Sequence, residues 1–307
     1  MSKKFLLFLF FILLPLSLAL KAQEKDTLDT WESEDEEEDY PCYFHSGDWN
    51  LGFNGNPTIE ATYGISKAGL KSTSVSFGNL GSAELRLSYS HQYTLDRDYL
   101  ISYRNRFALF TNNSADLTSQ GTGKDVMAEL WRFGFGYQSG YGYKFASSAV
   151  IPYSSNSFVW TRLNIKSLKD PAYYTPSAYS SQDAETMLLF NESFRFGTMT
   201  EAGIKVQIVP VFTLNASYER AVVFPRYLFW KHAGSMIIEW AGQGMIDTFV
   251  NEIMHSSPAA GPIVNFVLKN GFSYALYQLR SEKMNWPFNS ASPFTSDTWR
   301  AGLTFTF

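Results

Sequence analysis

Between Ala83 and Leu95 the chain alternates strictly. Ala83, Leu85, Leu87, Tyr89, His91, Tyr93 and Leu95 fall on one face, and Glu84, Arg86, Ser88, Ser90, Gln92 and Thr94 on the other. Successive side chains of an extended chain point to opposite sides, so this pattern is a strand with one wholly polar face. The same period returns in Trp131, Phe133, Phe135 and Tyr137, in Ala202, Ile204, Val206 and Ile208, and in Phe212, Leu214, Ala216 and Tyr218. It also governs the C-terminus, where Trp299, Ala301, Leu303, Phe305 and Phe307 share a side opposite Thr298, Arg300, Gly302, Thr304 and Thr306. In water such a terminal strand invites edge pairing.

Composition separates the two settings that alternation allows. Only 18% of the 307 residues are charged and 17% are aromatic, against about 25% charged in an ordinary soluble domain. Mean hydropathy is nevertheless slightly negative, −0.17, and no apolar run beyond the N-terminus is long enough for a membrane helix. Amphipathic strands average out in a hydropathy window, so these values suit a transmembrane barrel. A large soluble β-sandwich is the competing expectation.

The N-terminus reads as an export signal: basic "MSKK", apolar "FLLFLFFILLPLSLAL", and a cleavage site after Ala22. Residues 1–22 are the expected signal peptide and 23–45 an acidic, disordered periplasmic segment. Ten of the 29 acidic residues fall between Glu24 and Asp39, against the single base Lys25, so the formal charge of −4 belongs to this stretch. Its dense part, Glu34 to Asp39, is a solvated spacer or a docking tail for a periplasmic partner. The absence of a basic patch argues against nucleic acid. Cys42 is the only cysteine, so the chain forms no internal disulfide.

The export signal, the serial amphipathic strands and the terminal Phe305 and Phe307 together resemble Gram-negative outer-membrane β-barrel proteins. The resemblance implies an outer-membrane location with lipid against the oily faces and both termini in the periplasm. It also implies that Trp299, Leu303, Phe305 and Phe307 form the signal read by the barrel-assembly machinery.

The expected fold is all-β, an antiparallel transmembrane β-barrel over 46–307, of about 12 strands. The candidate strands are 47–54, 58–66, 70–79, 83–95, 99–111, 127–138, 140–150, 157–165, 187–197, 200–209, 211–224 and 296–307. "FGFGYQSGYGYKF" reads as a hairpin. "LDRD" and Val209–Pro210 read as periplasmic turns, and 112–125 as an outer loop. One conflict remains, because this count puts the long "KSLKDPAYYTPSAYSSQDAE" on the periplasmic side.

Within 225–295 the alternation gives way to a four-residue period. Glu239, Gln243, Asp247, Asn251 and His255 line one side of an amphipathic helix, and Pro262 is placed to open a second. This α-helical insertion before the last strand is expected to plug the lumen or cap its mouth, with part of it outside. "KMNWPFNSASPF" after it is an interfacial anchor or a lid.

The polar faces assign Glu84, Arg86, Arg104, Arg106, Arg132 and Lys144 to the lumen, with Glu201, Lys205 and Glu219. These charges either select solutes or pair to fill the barrel. Glu252, His255 and Ser256 lie close in sequence, a weak hint of a hydrolase triad. No paired-histidine spacing, phosphate loop or Cys–His cluster appears, so no metal or cofactor is expected. The leading functional expectation is a gated or plugged channel for a small solute or lipid-like ligand. A non-transport partner subunit of an envelope assembly is the alternative, and a lipid-modifying enzyme a remote one.

Overall fold

The computed structural model describes residues 55–95, 97–118, 126–165 and 181–307. The signal peptide, the acidic segment and the candidate strand 47–54 lie outside the described residues. Eight strands form the wall: β1 (Asn56–Leu70), β2 (Asn79–Thr94), β3 (Leu100–Ser114), β4 (Ala128–Phe145), β5 (Ser148–Ile165), β6 (Phe194–Val209), β7 (Phe212–Val223) and β8 (Phe294–Thr306). Each pairs antiparallel with its sequence neighbour, and β8 pairs back onto β1 from Thr58↔Thr306 to Leu70↔Phe294, closing the barrel. Closure removes the sheet edge that the terminal strand would otherwise expose.

Eight strands, not about 12, is a correction with a physical cause. Strands here run to 18 residues, and β4 passes unbroken through the glycine-rich run that reads as a hairpin. A side chain on Gly140 would lie 2.2 Å from the Pro152 carbonyl oxygen, and one on Gly134 2.3 Å from that of Phe158. These glycines let a tightly curved wall close rather than mark a turn. The true turn follows at Ala146, whose φ of 55° lies in the left-handed region. The candidates 187–197 and 200–209 resolve into a short helix, α1 (Ser181–Leu188), followed by the single strand β6. Residues 70–79 mostly connect β1 to β2.

The lower count removes the topological conflict. The β5–β6 connection now lies at the same end as the β1–β2, β3–β4 and β7–β8 connections, and short turns occupy the other end with both barrel termini.

The interior is filled in layers. At the long-connection end Leu70, Leu80, Leu130, Leu163 and Phe294 pack with Met187 of α1 and Phe190. At the short-turn end Ile101, Tyr103, Ala149 and Ile151 form a smaller cluster. Eight strands leave an interior that side chains can fill.

Between β7 and β8 the chain forms two helices, α2 (Phe229–Ser256) and α3 (Gly261–Arg280), the latter opened by Pro262. They lie outside the barrel as an antiparallel hairpin, neither in the lumen as a plug nor over its mouth. α2 starts at the long-connection end. Tyr143, next to the β4–β5 turn at the opposite end, donates its hydroxyl to the carbonyl of Ala259 between the helices, at 2.6 Å. The hairpin therefore runs the height of the wall.

Candidate functional site

Alternation on six strands brings eight charges to the centre of the barrel. Glu60 (β1), Arg86 (β2), Glu201 and Lys205 (β6) meet across the lumen. Arg86 bonds Glu201 and approaches Glu60 at 3.5 Å, and Lys205 donates to Glu60. Tyr153 donates to Glu201, and Thr304 gives its hydroxyl to Glu60 at 2.9 Å. A second layer joins Arg132 to Glu219 at 2.7 Å, and Arg300 to both Glu219 and Glu84. Arg132 also donates to Thr161 at 3.0 Å and to Ser296 at 2.9 Å. Arg86 links the layers through Glu84 at 2.6 Å.

Four carboxylates thus face four cations, and none of the eight side chains exceeds 3% exposure. Buried charges persist when they are paired and hydrogen-bonded. The result is a neutral, closed layer rather than a constriction rich in cations.

The expected lumen residues divide accordingly. Glu84, Arg86, Arg132, Glu201, Lys205 and Glu219 all point inward and are buried. Arg104 and Arg106 stand on the outer face of β3, because Tyr103, Asn105 and Phe107 take its inner positions. Lys144 is exposed beside the β4–β5 turn. Reading the sequence missed Glu60 and Arg300 as lumen residues, although Thr58–Glu60–Thr62 and the polar side of the last strand carried the needed alternation.

The helical stripe has a different role from the one its position suggested. Glu239 pairs with Arg280 at 2.6 Å, Gln243 donates to Ser273 at 3.1 Å, and Asp247 pairs with Lys269 at 2.5 Å. The stripe forms the seam between α2 and α3. Asn251 is half-buried and His255 exposed farther along the same helix. Ser256 donates to the Glu252 carbonyl at 2.9 Å, a bond that caps a helix turn rather than poising a nucleophile.

α3 covers a polar sector of the outer wall. Glu219 points into the lumen, so its neighbour Arg220 points out; it is 2% exposed and lies over the Tyr274 ring of α3 at 5.4 Å. Ser154, Thr198 and Thr200 share this outer sector and are covered too. Ser273, Tyr277 and Arg280 of α3 face it, around a void of about 10 Å³. The "KMNWPFNSASPF" stretch packs here as well. Met284 and Asn285 are fully buried, and Lys231 of α2 donates to the Asn289 carbonyl at 2.6 Å.

Most of the remaining exterior is apolar, with Arg104 and Arg106 of β3 among the charged exceptions. Ile59, Leu87, Phe135 and Leu214 face outward, and the suggested assembly-signal residues Trp299, Leu303, Phe305 and Phe307 form an exposed outer row on β8. Trp299 is 66% exposed and stacks on Tyr218 with centroids 4.6 Å apart. A closed antiparallel barrel with a largely apolar outside and a buried charged layer inside suits a bilayer. The architecture is that of an outer-membrane β-barrel.

Comparison with known proteins finds only distant likenesses. No family model matches the chain, and no curated protein matches it. Among solved structures, Neisserial surface protein A is similar at 10% identity, over 82% of this chain and 97% of that one, with a TM-score of 0.36. Ail, the attachment invasion locus protein of Yersinia pestis, is similar at 8% identity, over 82% and 99%, with a TM-score of 0.32. OprG of Pseudomonas aeruginosa is similar at 10% identity, over 82% and 96%, with a TM-score of 0.28.

Proposed function

We propose that the protein is a non-conducting outer-membrane barrel that serves as a structural or partner subunit of an envelope assembly, rather than a gated channel or an enzyme. The observation that carries this reading is Arg86, held from across the lumen by Glu201 and on its own strand by Glu84, and approached by Glu60. A solute path would have to break this layer and the apolar packing above it. Filling the lumen leaves the outer surface and the acidic segment as the parts available for work. In this reading residues 1–22 direct export, the terminal aromatics of β8 serve insertion by the assembly machinery, and Glu34–Asp39 dock a periplasmic partner.

Planar-bilayer recording on the refolded protein tests the reading. No discrete conductance steps are expected from the intact chain, nor from an Asp247→Asn/Lys269→Gln variant that loosens the hairpin seam. Folding is checked in both by heat-modifiable gel mobility. Steps in either sample from folded protein restore the channel reading.

A further inference from the structure

The outward face of α2 carries no charge between Lys231 and Glu252. Along it Ile237, Ile238, Trp240, Met245 and Phe249 are exposed, Met245 by 76%. At 1.5 Å per residue this interval spans about 31 Å, close to the roughly 30 Å thickness of a bilayer's hydrocarbon core. The acids within the interval, Glu239 and Asp247, are paired on the seam with Arg280 and Lys269.

Among the described residues no helix is long and apolar enough to cross a membrane. That property belongs to each helix as a whole and includes the seam charges. In the docked hairpin those charges are paired across the seam, the Asp247 side chain staying 36% exposed at its edge, and the remaining outward surface of α2 is mainly apolar. The wall beneath points the same way. Ser154, Thr198, Thr200 and Arg220 form a sector ill suited to acyl chains, and the hairpin occupies it along the height of the barrel. On either side of that sector the wall is mostly apolar, Arg104 and Arg106 of β3 excepted.

We infer that α2 and α3 lie within the hydrocarbon layer beside the barrel, and that lipid acyl chains cover the outward face of α2. The hairpin replaces lipid over the polar sector and presents its own apolar surface in exchange. The inference rests on the outer-membrane reading of the barrel, and its test distinguishes the two.

In a Cys42→Ser chain, single cysteines at Ile237, Met245 and Phe249 are spin-labelled after reconstitution in phosphatidylcholine–phosphatidylglycerol liposomes. Leu87 on the bare wall is labelled as a reference. Relaxation by oxygen, which partitions into lipid, is compared with relaxation by a water-soluble nickel chelate, and folding is verified by heat-modifiable mobility. The expected result is strong oxygen and weak nickel relaxation at all three helix positions, matching Leu87. Strong nickel relaxation on the helix while Leu87 stays lipid-like overturns the inference and leaves the outer-membrane reading intact. Protection from both relaxants, with spin–spin broadening that grows with protein density, assigns the face to a second copy and also overturns it. Nickel relaxation at Leu87 itself removes the outer-membrane reading and the inference with it.

Discussion

Glu84 accepts hydrogen bonds from Arg86 and from Arg300, each at 2.6 Å, and so binds the two layers of the lumen network into one. Thr111 donates to the same carboxylate at 2.6 Å. Among the described residues no other interior acid joins cations of both layers.

Replacing Glu84 by alanine leaves two buried guanidinium groups with excess charge. The expected cost is about 3–5 kcal/mol, read as a lower midpoint in urea or heat unfolding of the refolded barrel. A change below about 1 kcal/mol contradicts the network described here.

The Glu60–Lys205 pair makes a prediction of opposite kind. Glu60 replaced alone strands Lys205, and Lys205 replaced alone leaves Glu60 with Arg86 at 3.5 Å as its nearest cation, whereas Glu60→Leu with Lys205→Met removes both charges together. The double variant is expected to be more stable than either single one, with a coupling of roughly 0.5–3 kcal/mol in a double-mutant cycle.

Glycines at the closure seam differ sharply from those on the hairpin. A side chain on Gly64 would lie 1.8 Å from the Trp299 carbonyl oxygen, between β1 and β8, while Gly244 of α2 has nothing within 4 Å. Gly64→Val is expected to destabilise the barrel by about 1–3 kcal/mol or to prevent folding. Gly244→Ala should stabilise α2 by about 0.5–1 kcal/mol. Heat-modifiable mobility and unfolding midpoints measure both.

In the outer-membrane reading proposed above, the seam charges also bear on export. A charged residue at a helix centre costs about 2.5–3.5 kcal/mol on insertion scales, which keeps α2 and α3 from inserting singly. With Asp247→Leu and Lys269→Leu the hairpin becomes apolar enough to be retained, and cell fractionation is expected to find the variant in the inner membrane rather than the outer.

Much of this was readable from alternation. Glu84 and Arg86 sit among serines on β2, so the inner face of that strand was plain. β3 was not, because the lumen near the short turns is lined by Ile101 and Tyr103, and an apolar interior layer inverts the rule that assigned Arg104 and Arg106 inward. The strand count failed at β4, where glycine serves curvature and not a turn. The helix stripe was legible, but its purpose depended on a partner: Glu239 finds Arg280 41 residues away, a pairing that periodicity on one helix does not contain.

The pairing of β1 with β8 joins residues nearly 250 positions apart, Thr58 with Thr306, and β8 also delivers Arg300 and Thr304 to the interior. The last strand made therefore completes both the wall and its charge balance. A chain interrupted before Phe294 keeps Glu84 and Glu219 without Arg300, and leaves β1 and β7 with open edges. Such a fragment has no sealed state to fall into, because its open edges stay available for pairing where the closed wall offers none, so the fold carries its own check that β8 is in place.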